Sequence, residues 1–232
     1  MDLLLQGLAH AFALIFQGDA QVMEIMWLSL RCSGLATVLA VLVGTPIGLS
    51  LGMSRFVGRR LLLGVMNAGM GLPPVAVGLV VSLFLWRSGP LGFLELMYTP
   101  TAIVIAQVII ATPVVVGLTT AAIQQLDPRL HLQLLGLGAS RRQAALALIW
   151  EAKYGMIAAV MAAFGAVISE VGASMMVGGN LLHQTRVLTT ATVLEAGKGN
   201  FDIALALSVI LIGLTFVVAM ALTLLQQRGQ RR

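Results

Sequence analysis

Five long apolar runs constrain what this chain can fold into more than any other feature of its sequence. They cover about residues 28–51, 61–86, 101–126, 154–177 and 203–225. A helix of about 20 mostly apolar residues crosses the hydrocarbon core of a bilayer and satisfies all of its own backbone polar groups there. Only 10% of the 232 residues are charged, against about 25% in soluble domains. The sequence therefore predicts an all-α integral membrane protein with about five transmembrane helices.

The amino-terminal segment, residues 1–22, carries a shorter apolar run, LLLQGLAHAFALIFQ, between Asp2 and Asp19. This length and these flanks predict a helix at the membrane interface or against a partner subunit, with a sixth span as the alternative. A basic region and a small-residue cleavage site are both missing here, so we expect no signal peptide. We divide the rest of the chain into a transmembrane domain (23–226) and a basic cytoplasmic tail (227–232).

The basic residues predict how the spans are oriented. If the amino end lies outside, the loops and tail on the cytoplasmic side carry most of the cations, namely Arg55, Arg59, Arg60, Arg129, Arg141, Arg142, Lys153, Arg228, Arg231 and Arg232. Cytoplasmic loops of membrane proteins carry an excess of Lys and Arg, so we expect the amino terminus outside and the carboxyl terminus in the cytoplasm. The same rule accounts for the net charge of +5 without a nucleic-acid partner.

The loop between the third and fourth spans, residues 127–153, has more structure than a connector needs. Asp127 and Pro128 favour a helix start. Ser140 and Gln143 form a capping box for a second short helix. One face of that helix is apolar: Ala144, Ala145, Leu148 and Ile149. We predict a helix-turn-helix that lies across the cytoplasmic surface; an amphipathic loop that packs only on its own protein is the alternative.

Several motifs carry a resemblance to a known family. The sequence Gly138-Ala139-Ser140, followed by a basic amphipathic helix, resembles the cytoplasmic signature loop of bacterial ABC-importer permeases, which docks into the ATPase subunit. GLPPVAVGLVVSLFLWRSGPLG (71–92) resembles the second span of the molybdate, sulfate and tungstate branch. EAKYG, SEVGA, VGGN and TRVLTTATVLEAGKGNFDIALALS, all within 151–208, resemble the tungstate permeases. The resemblance covers roughly residues 23–225.

The resemblance implies a type I ABC importer permease fold in the bacterial inner membrane. It implies a homodimer of this permease surrounded by membrane lipid, two cytoplasmic ATP-binding subunits and an external oxyanion-binding protein. Tungstate is the implied substrate, with molybdate or sulfate as the alternative. The implied ATPase-docking residues are Gly138, Ala139, Ser140, Arg141, Arg142 and Leu148.

The chain shows no sign of an ATPase, catalytic or metal site of its own. A G-x-x-x-x-G-K-[ST] loop does not occur, so we expect ATP and Mg to be bound by the partner subunit and this chain to hold no cofactor. A membrane enzyme would need converging catalytic or metal-binding residues, but His10, His131 and His183 lie in three separated regions. A proton-driven carrier, the other rival class, would usually show internal repeats and several polar groups at the membrane midplane.

One carboxylate, Glu170, lies inside the fourth apolar run. A charge in hydrocarbon costs several kcal/mol unless it is paired, hydrated or neutralised. Counted at about 1.5 Å per residue from the cytoplasmic end, Glu170 lies roughly 25 Å along the span, in the outer half of the membrane. One hypothesis is that Glu170 pairs with Arg186 and fixes an outer gate. A carboxylate hydrated from outside is the alternative.

Other polar and kinked positions are candidates for the gate or the transport path. Pro73 and Pro74 stand in the middle of the second span, where a missing amide hydrogen predicts a kink or a break. A simple packing kink and a hinge beside the path both remain open. Further candidates follow in the outer segment: Asn180, Thr185, Arg186, Thr189 and Thr190. We do not expect Glu170 to bind an oxyanion, since like charges repel.

Overall fold

A computed structural model describes residues 13, 18–54 and 56–230 of the chain. These residues form ten α-helices longer than one turn: α1 (Ala20–Met53), α2 (Arg59–Gly69), α3 (Pro74–Leu85), α4 (Pro100–Gln124), α5 (Pro128–Gly136), α6 (Arg141–Glu151), α7 (Lys153–Ile168), α8 (Gly172–Gly178), α9 (Leu188–Gly197) and α10 (Phe201–Gln230). A 3-10 turn, Gly92–Leu94, lies between α3 and α4. No strand occurs in the described residues, and the all-α class is confirmed.

Three helices are long and apolar enough to cross a membrane alone: α1, α4 and the part of α10 from Phe201 to Leu224. Two bent pairs bring the number of candidate spans to five. In one, α2 and α3 meet at 102°; in the other, α6 and α7 meet at 71°. The first and fifth predicted spans each fall within one continuous helix, and the third, 101–126, does so as far as Gln124, where α4 ends. The run at 61–86 is broken at Pro73 and Pro74, where the prolines predict a kink or a break. The single helix predicted for 154–177 is wrong, because this run is interrupted between Ile168 and Gly172.

The two ends of the chain differ from their predicted boundaries. The first membrane helix begins at Ala20, and the carboxylate of Asp19 caps it by accepting a hydrogen bond from the Val22 amide at 2.9 Å. Residues 20–22 therefore belong to this helix and not to a separate amino-terminal segment. Apart from residue 13, the helix predicted before Gln17 lies outside the described residues. At the other end, α10 continues through 227–230, which were predicted as a tail.

The packing of α1 against α4 forms the centre of the domain. Three glycines of α1, at positions 44, 48 and 52, face α4. A Cβ added at Gly48 would lie 2.6 Å from the Cβ of Thr119. Thr120 also donates a hydrogen bond across the interface to the carbonyl of Gly48 at 3.1 Å. Small residues at this spacing let the two backbones approach closely, as in other membrane helix pairs. α7 packs against α1 and α4, and α10 packs against α7 and α9.

Candidate functional site

Glu170 lies where the fourth apolar run breaks, between the end of α7 and the start of α8, and is only 5% exposed. Its carboxylate accepts hydrogen bonds from the Ala173 amide at 2.5 Å, the Ser174 amide at 3.0 Å and the Ser174 hydroxyl at 2.9 Å. The first amides of a helix have no partner within the helix and carry partial positive charge. The new helix α8 therefore explains why this carboxylate is buried.

Three other elements hold the break in place. Gln107 of α4 donates its Nε2 to the carbonyl oxygen of Val167, near the end of α7, at 3.1 Å, and Ser33 of α1 donates to the same oxygen at 3.5 Å. Thr189 of α9 donates to the Glu170 carbonyl oxygen at 2.9 Å. These bonds satisfy carbonyl groups that a broken helix leaves free. The junction between α7 and α8 is thus tied to α1, α4 and α9.

The predicted ion pair between Glu170 and Arg186 is wrong for this structure. The carboxylate of Glu170 is engaged by α8, while Arg186 donates its Nη2 to the carbonyl oxygen of Asn180 at 3.4 Å. The Nε of Arg186 is buried and has no hydrogen-bond partner among the described residues. Hydrogen bonds from Lys198 and Asn200, with a smaller contribution from the charge of Arg186, lower the pKa of Glu195.

The other polar residues predicted in the outer segment form a buried network after α8. Thr185 donates to the carbonyl oxygen of Gly178, and the Asn180 side-chain amide donates to the Thr190 carbonyl at 3.3 Å. The Thr190 hydroxyl accepts from the Val187 amide at 3.1 Å. Thr185 and Thr190 are fully buried. In this conformation these side chains fix the turn between α8 and α9 and do not face an open path.

Pro73 and Pro74 mark the break of the second apolar run. Pro73 occupies the N-cap position of α3, and Pro74 is its first residue. Proline is tolerated there because the first amide of a helix has no partner within the helix. The break turns the chain by 102° between α2 and α3. The prolines therefore begin a new helix, and a mild kink in a continuous span is excluded for this structure.

The two broken runs pack against each other through α3 and α8. A Cβ added at Gly78 of α3 would lie 2.6 Å from the Cα of Ala173 in α8. Ser82 of α3 donates its hydroxyl to the Met176 carbonyl at 3.1 Å. The candidate gate residues at 73, 74 and 170 thus lie at the starts of two short helices that form one packed unit.

The predicted helix-turn-helix between the third and fourth spans is present as α5 and α6. The carboxylate of Asp127 accepts a hydrogen bond from the Arg129 amide at 2.8 Å. The capping box is complete: the Ser140 amide donates to Gln143 Oε1 at 2.8 Å, and the Gln143 amide donates to Ser140 Oγ at 3.3 Å. Gly138 has φ +85°, a left-handed conformation that glycine adopts without strain.

The inner face of this motif attaches it to the membrane domain. Leu148 is 3% exposed and packs in a cluster with Ile123 of α4 and Ala152. Ala144 is also buried. Leu148 was predicted to dock an ATPase, and that assignment is corrected here, because a side chain buried against its own subunit cannot contact a partner.

The outer face of the motif is exposed. Gly138, Ser140, Arg141 and Arg142, four of the predicted docking residues, are exposed, and Ala139 is half-buried. The four most exposed large apolar side chains of the motif, which the sequence prediction missed, are Leu132, Leu137, Leu146 and Trp150. We call these four residues the exposed loop surface. The sequence did contain a signal for this surface: Leu146 and Trp150 are four residues apart, so they lie on the same side of α6, among polar residues.

Comparison with known proteins connects this architecture to transport. Residues 44–231 match the family described as "Binding-protein-dependent transport system inner membrane component". A "Probable anion ABC transporter permease protein" of Haloferax volcanii is 41% identical over 202 residues, covering 85% of this chain and 87% of that protein. The "Tungstate uptake system permease protein TupB" of Peptoclostridium acidaminophilum is 37% identical over 227 residues, covering 98% of this chain and all of that protein.

A solved structure shows the same fold. A chain of the MetNI methionine ABC transporter, in an inward-facing conformation, superposes with a TM-score of 0.75 at 17% sequence identity, covering 90% of this chain and 96% of that chain. The type I ABC importer permease fold that the sequence predicts is confirmed.

Proposed function

The chain belongs to the family of binding-protein-dependent transport system inner membrane components, and on that premise we propose that it is the membrane subunit of a tungstate importer. It is a multi-pass permease subunit of the inner membrane. Its family works with ATP-binding subunits and with a binding protein. The observation that carries the choice of tungstate is the end-to-end similarity to a tungstate uptake permease. Molybdate or sulfate is the alternative substrate.

The outer face of the helix-turn-helix is proposed to dock the ATP-binding subunit. It offers the exposed loop surface next to Gly138, Ala139, Ser140, Arg141 and Arg142. The docking helix α6 is joined to the membrane helix α7 by the single residue Ala152, which is buried. A displacement of α6 by the ATPase would therefore move α7 and, at its far end, the break at Glu170. ATP and Mg would be bound and ATP hydrolysed by the partner.

The path itself is proposed to form between two copies of this chain, with the amino terminus outside and the carboxyl terminus in the cytoplasm. The gate would be built from the unit of α3 and α8 and the turn that follows it. Its candidate residues are Pro73, Pro74, Glu170, Asn180, Thr185, Arg186, Thr189 and Thr190. Among the described residues Glu170 is the one charged side chain that is buried. No Arg or Lys residue is buried as a whole in this part of the chain, although the Nε atom of Arg186 is buried.

Reconstitution of the transporter tests this proposal. The permease is placed in proteoliposomes with its ATP-binding subunit and binding protein, and uptake of radioactive tungstate is followed with unlabelled molybdate or sulfate as competitors. We expect uptake to require ATP and all three components, and we expect molybdate and sulfate to compete only weakly with the labelled tungstate. Uptake by the permease alone, or uptake driven by a proton gradient without ATP, would contradict it. The mass of the intact complex tests the homodimer.

A further inference from the structure

A groove of about 410 Å³ runs along the surface of the membrane domain between α7 and α10. Its lining is mostly apolar and includes Ala158, Ala162 and Gly165 of α7 and Ala219 and Leu222 of α10. Ala158 and Ala162 are exposed, so the groove is open on this side. The candidate span of α10 extends to Leu224. The open side of the groove therefore faces the bilayer or a partner and not water.

The length of the groove matches one leaflet of a bilayer. Along α10 the lining extends from Thr215 to Gln226, which is about 16 Å at 1.5 Å per residue. Half of the hydrocarbon core of a bilayer is about 15 Å thick. The Thr215 hydroxyl donates to the Leu211 carbonyl of its own helix at 2.8 Å, so it needs no partner from the groove. An extended acyl chain fits this length and this apolar lining.

A cation lies at the end of the groove next to the helix-turn-helix. Gln226 donates its Nε2 to the Tyr154 carbonyl at 3.3 Å, which ties this end of the groove to the start of α7. The Lys153 ammonium lies 5.1 Å from the centroid of the Tyr154 ring and 5.0 Å from that of Trp150. In the part of the chain that the structure describes, no carboxylate forms an ion pair with Lys153. Its charge is therefore available to an anion.

A phospholipid supplies both chemistries in one molecule, an acyl chain for the groove and a phosphate for the ammonium. Tyrosine and tryptophan beside a lysine at the end of an apolar span are typical of the membrane–water interface. Basic pockets between helices on the cytoplasmic side bind anionic headgroups, and the cytoplasmic leaflet carries such lipids. A helix of a second copy would also cover the groove, but its apolar face offers no anion to Lys153.

We propose that the groove between α7 and α10 binds an anionic phospholipid of the cytoplasmic leaflet. One acyl chain lies against Ala158 and Ala162, and the phosphate contacts the Lys153 ammonium beside the Tyr154 ring. The choice of leaflet rests on the orientation given under the proposed function, whereas the contact itself does not depend on the transported anion. Ala152 joins α6 to α7, so the headgroup lies at the joint between the docking motif and the membrane domain.

Native mass spectrometry of the full chain in detergent tests the headgroup contact. The probes are palmitoyl-oleoyl phosphatidylglycerol, phosphatidylcholine with the same chains, and glycerol phosphate as a free headgroup. We expect wild type to retain phosphatidylglycerol more strongly than phosphatidylcholine and not to retain glycerol phosphate. Lys153→Gln should weaken phosphatidylglycerol binding about fivefold, the effect of about 1 kcal/mol that one lysine contributes at an anionic surface. Binding of phosphatidylcholine should not change.

Two further lysine variants serve as controls for the headgroup contact. Lys153→Arg keeps the charge and should bind phosphatidylglycerol as wild type does. Lys198→Gln removes an exposed lysine from the loop between α9 and α10. It should not change binding, because the attraction of a lysine for an anionic headgroup falls off within a Debye length.

A bulky side chain in the groove gives a second readout that does not depend on charge. Ala162→Phe places a ring where the acyl chain is proposed to lie, and we expect it to weaken binding of both lipids at least about fivefold through overpacking. Ala221→Phe is the matched control, because Ala221 is an exposed alanine of α10 that does not line the groove. It should bind both lipids as wild type does. Thermal unfolding of each variant shows that it is folded.

Several outcomes would overturn the inference. Phosphatidylglycerol binding in Lys153→Gln and Ala162→Phe equal to that of wild type would exclude the groove as a lipid site. Retention of glycerol phosphate alone would indicate a site for free anions. A loss of dimer in Ala162→Phe with unchanged lipid binding would show that a second copy covers the groove. The proposed function is tested separately, by ATP-dependent tungstate uptake, and each of these outcomes leaves it intact.

Discussion

The carboxylate of Glu170 accepts hydrogen bonds from both the amide and the hydroxyl of Ser174, at 3.0 and 2.9 Å, in the interior of the membrane domain. This contact makes an acidic side chain the anchor of a seven-residue helix in the middle of an apolar run. The carboxylate satisfies helix donors that would otherwise be unpaired, which would be costly in a low-dielectric interior.

Replacing Glu170 tests this anchoring role. In Glu170→Gln the side chain has one acceptor oxygen and an NH₂ group that would face another donor. We expect the free energy of unfolding to fall by about 1–3 kcal/mol, the cost of a buried unsatisfied group, and transport to fall at least about tenfold. Thermal unfolding in detergent and uptake in proteoliposomes measure both. Glu24→Gln is the matched control, because Glu24 is exposed and pairs with the exposed His183. If Glu170→Gln were as stable and as active in uptake as the control, Glu170 would not anchor α8.

The separation of Glu170 from Arg186 predicts independent effects. These residues share no hydrogen-bond partner in the structure. We therefore expect the losses of stability in Glu170→Gln and Arg186→Gln to add in the double mutant within about 0.5 kcal/mol. Unfolding measurements on the three variants complete the cycle. A coupling of more than about 1 kcal/mol would show that the two residues interact directly after all.

The difference between Leu146 and Leu148 predicts two separable defects on one helix. Leu148 is buried in the membrane domain, so Leu148→Ala should lower the stability by about 2–5 kcal/mol. Leu146 belongs to the exposed loop surface, so Leu146→Glu should leave stability within about 0.5 kcal/mol but weaken ATPase binding. Thermal unfolding and copurification of the ATP-binding subunit distinguish the two. Normal ATPase binding by Leu146→Glu would place the docking site elsewhere.

Two glycines of α1 provide a test of the central helix packing. Gly48→Ala places a Cβ 2.6 Å from Thr119, and we expect it to lower the free energy of unfolding by about 1–3 kcal/mol through overpacking. Gly34→Ala, on the same helix, meets no atom within 4 Å. Alanine favours a helix over glycine by about 0.5–1 kcal/mol, so this control should be neutral or stabilising. Equal effects of the two substitutions on stability would show that the close contact of Gly48 with Thr119 does not contribute to the packing of α1 against α4.

The sequence predicts the helices whose signal is local and misses those that depend on tertiary contacts. The apolar runs of α1, α4 and α10 are long enough to be recognised alone, and the capping box of Ser140 and Gln143 is complete within four residues. The break at Glu170 was missed because its support comes from Gln107 and Thr189, which are distant in sequence. Glu170 itself was the local signal, since a carboxylate in an apolar run needs hydrogen-bond donors and the free amides at a helix start supply them.

The assignment of Leu148 to ATPase docking was wrong for a related reason. Its apolar periodicity correctly predicts one buried face of α6, but that face belongs to the subunit's own core. The residues available to a partner are the apolar ones on the other side, Leu146 and Trp150. Periodicity reports which side of a helix is covered and does not tell which protein covers it.

We propose that this subunit supplies a gated path that does not discriminate between similar oxyanions, and that the external binding protein chooses the substrate. The most direct test pairs the permease and its ATPase with a chimeric binding protein that keeps its docking surface but has the pocket of a molybdate-selective protein. Uptake of tungstate and molybdate is then measured in the same proteoliposomes. We predict that uptake follows the pocket and becomes selective for molybdate. A persistent preference for tungstate would contradict the claim and place a selectivity site in this chain.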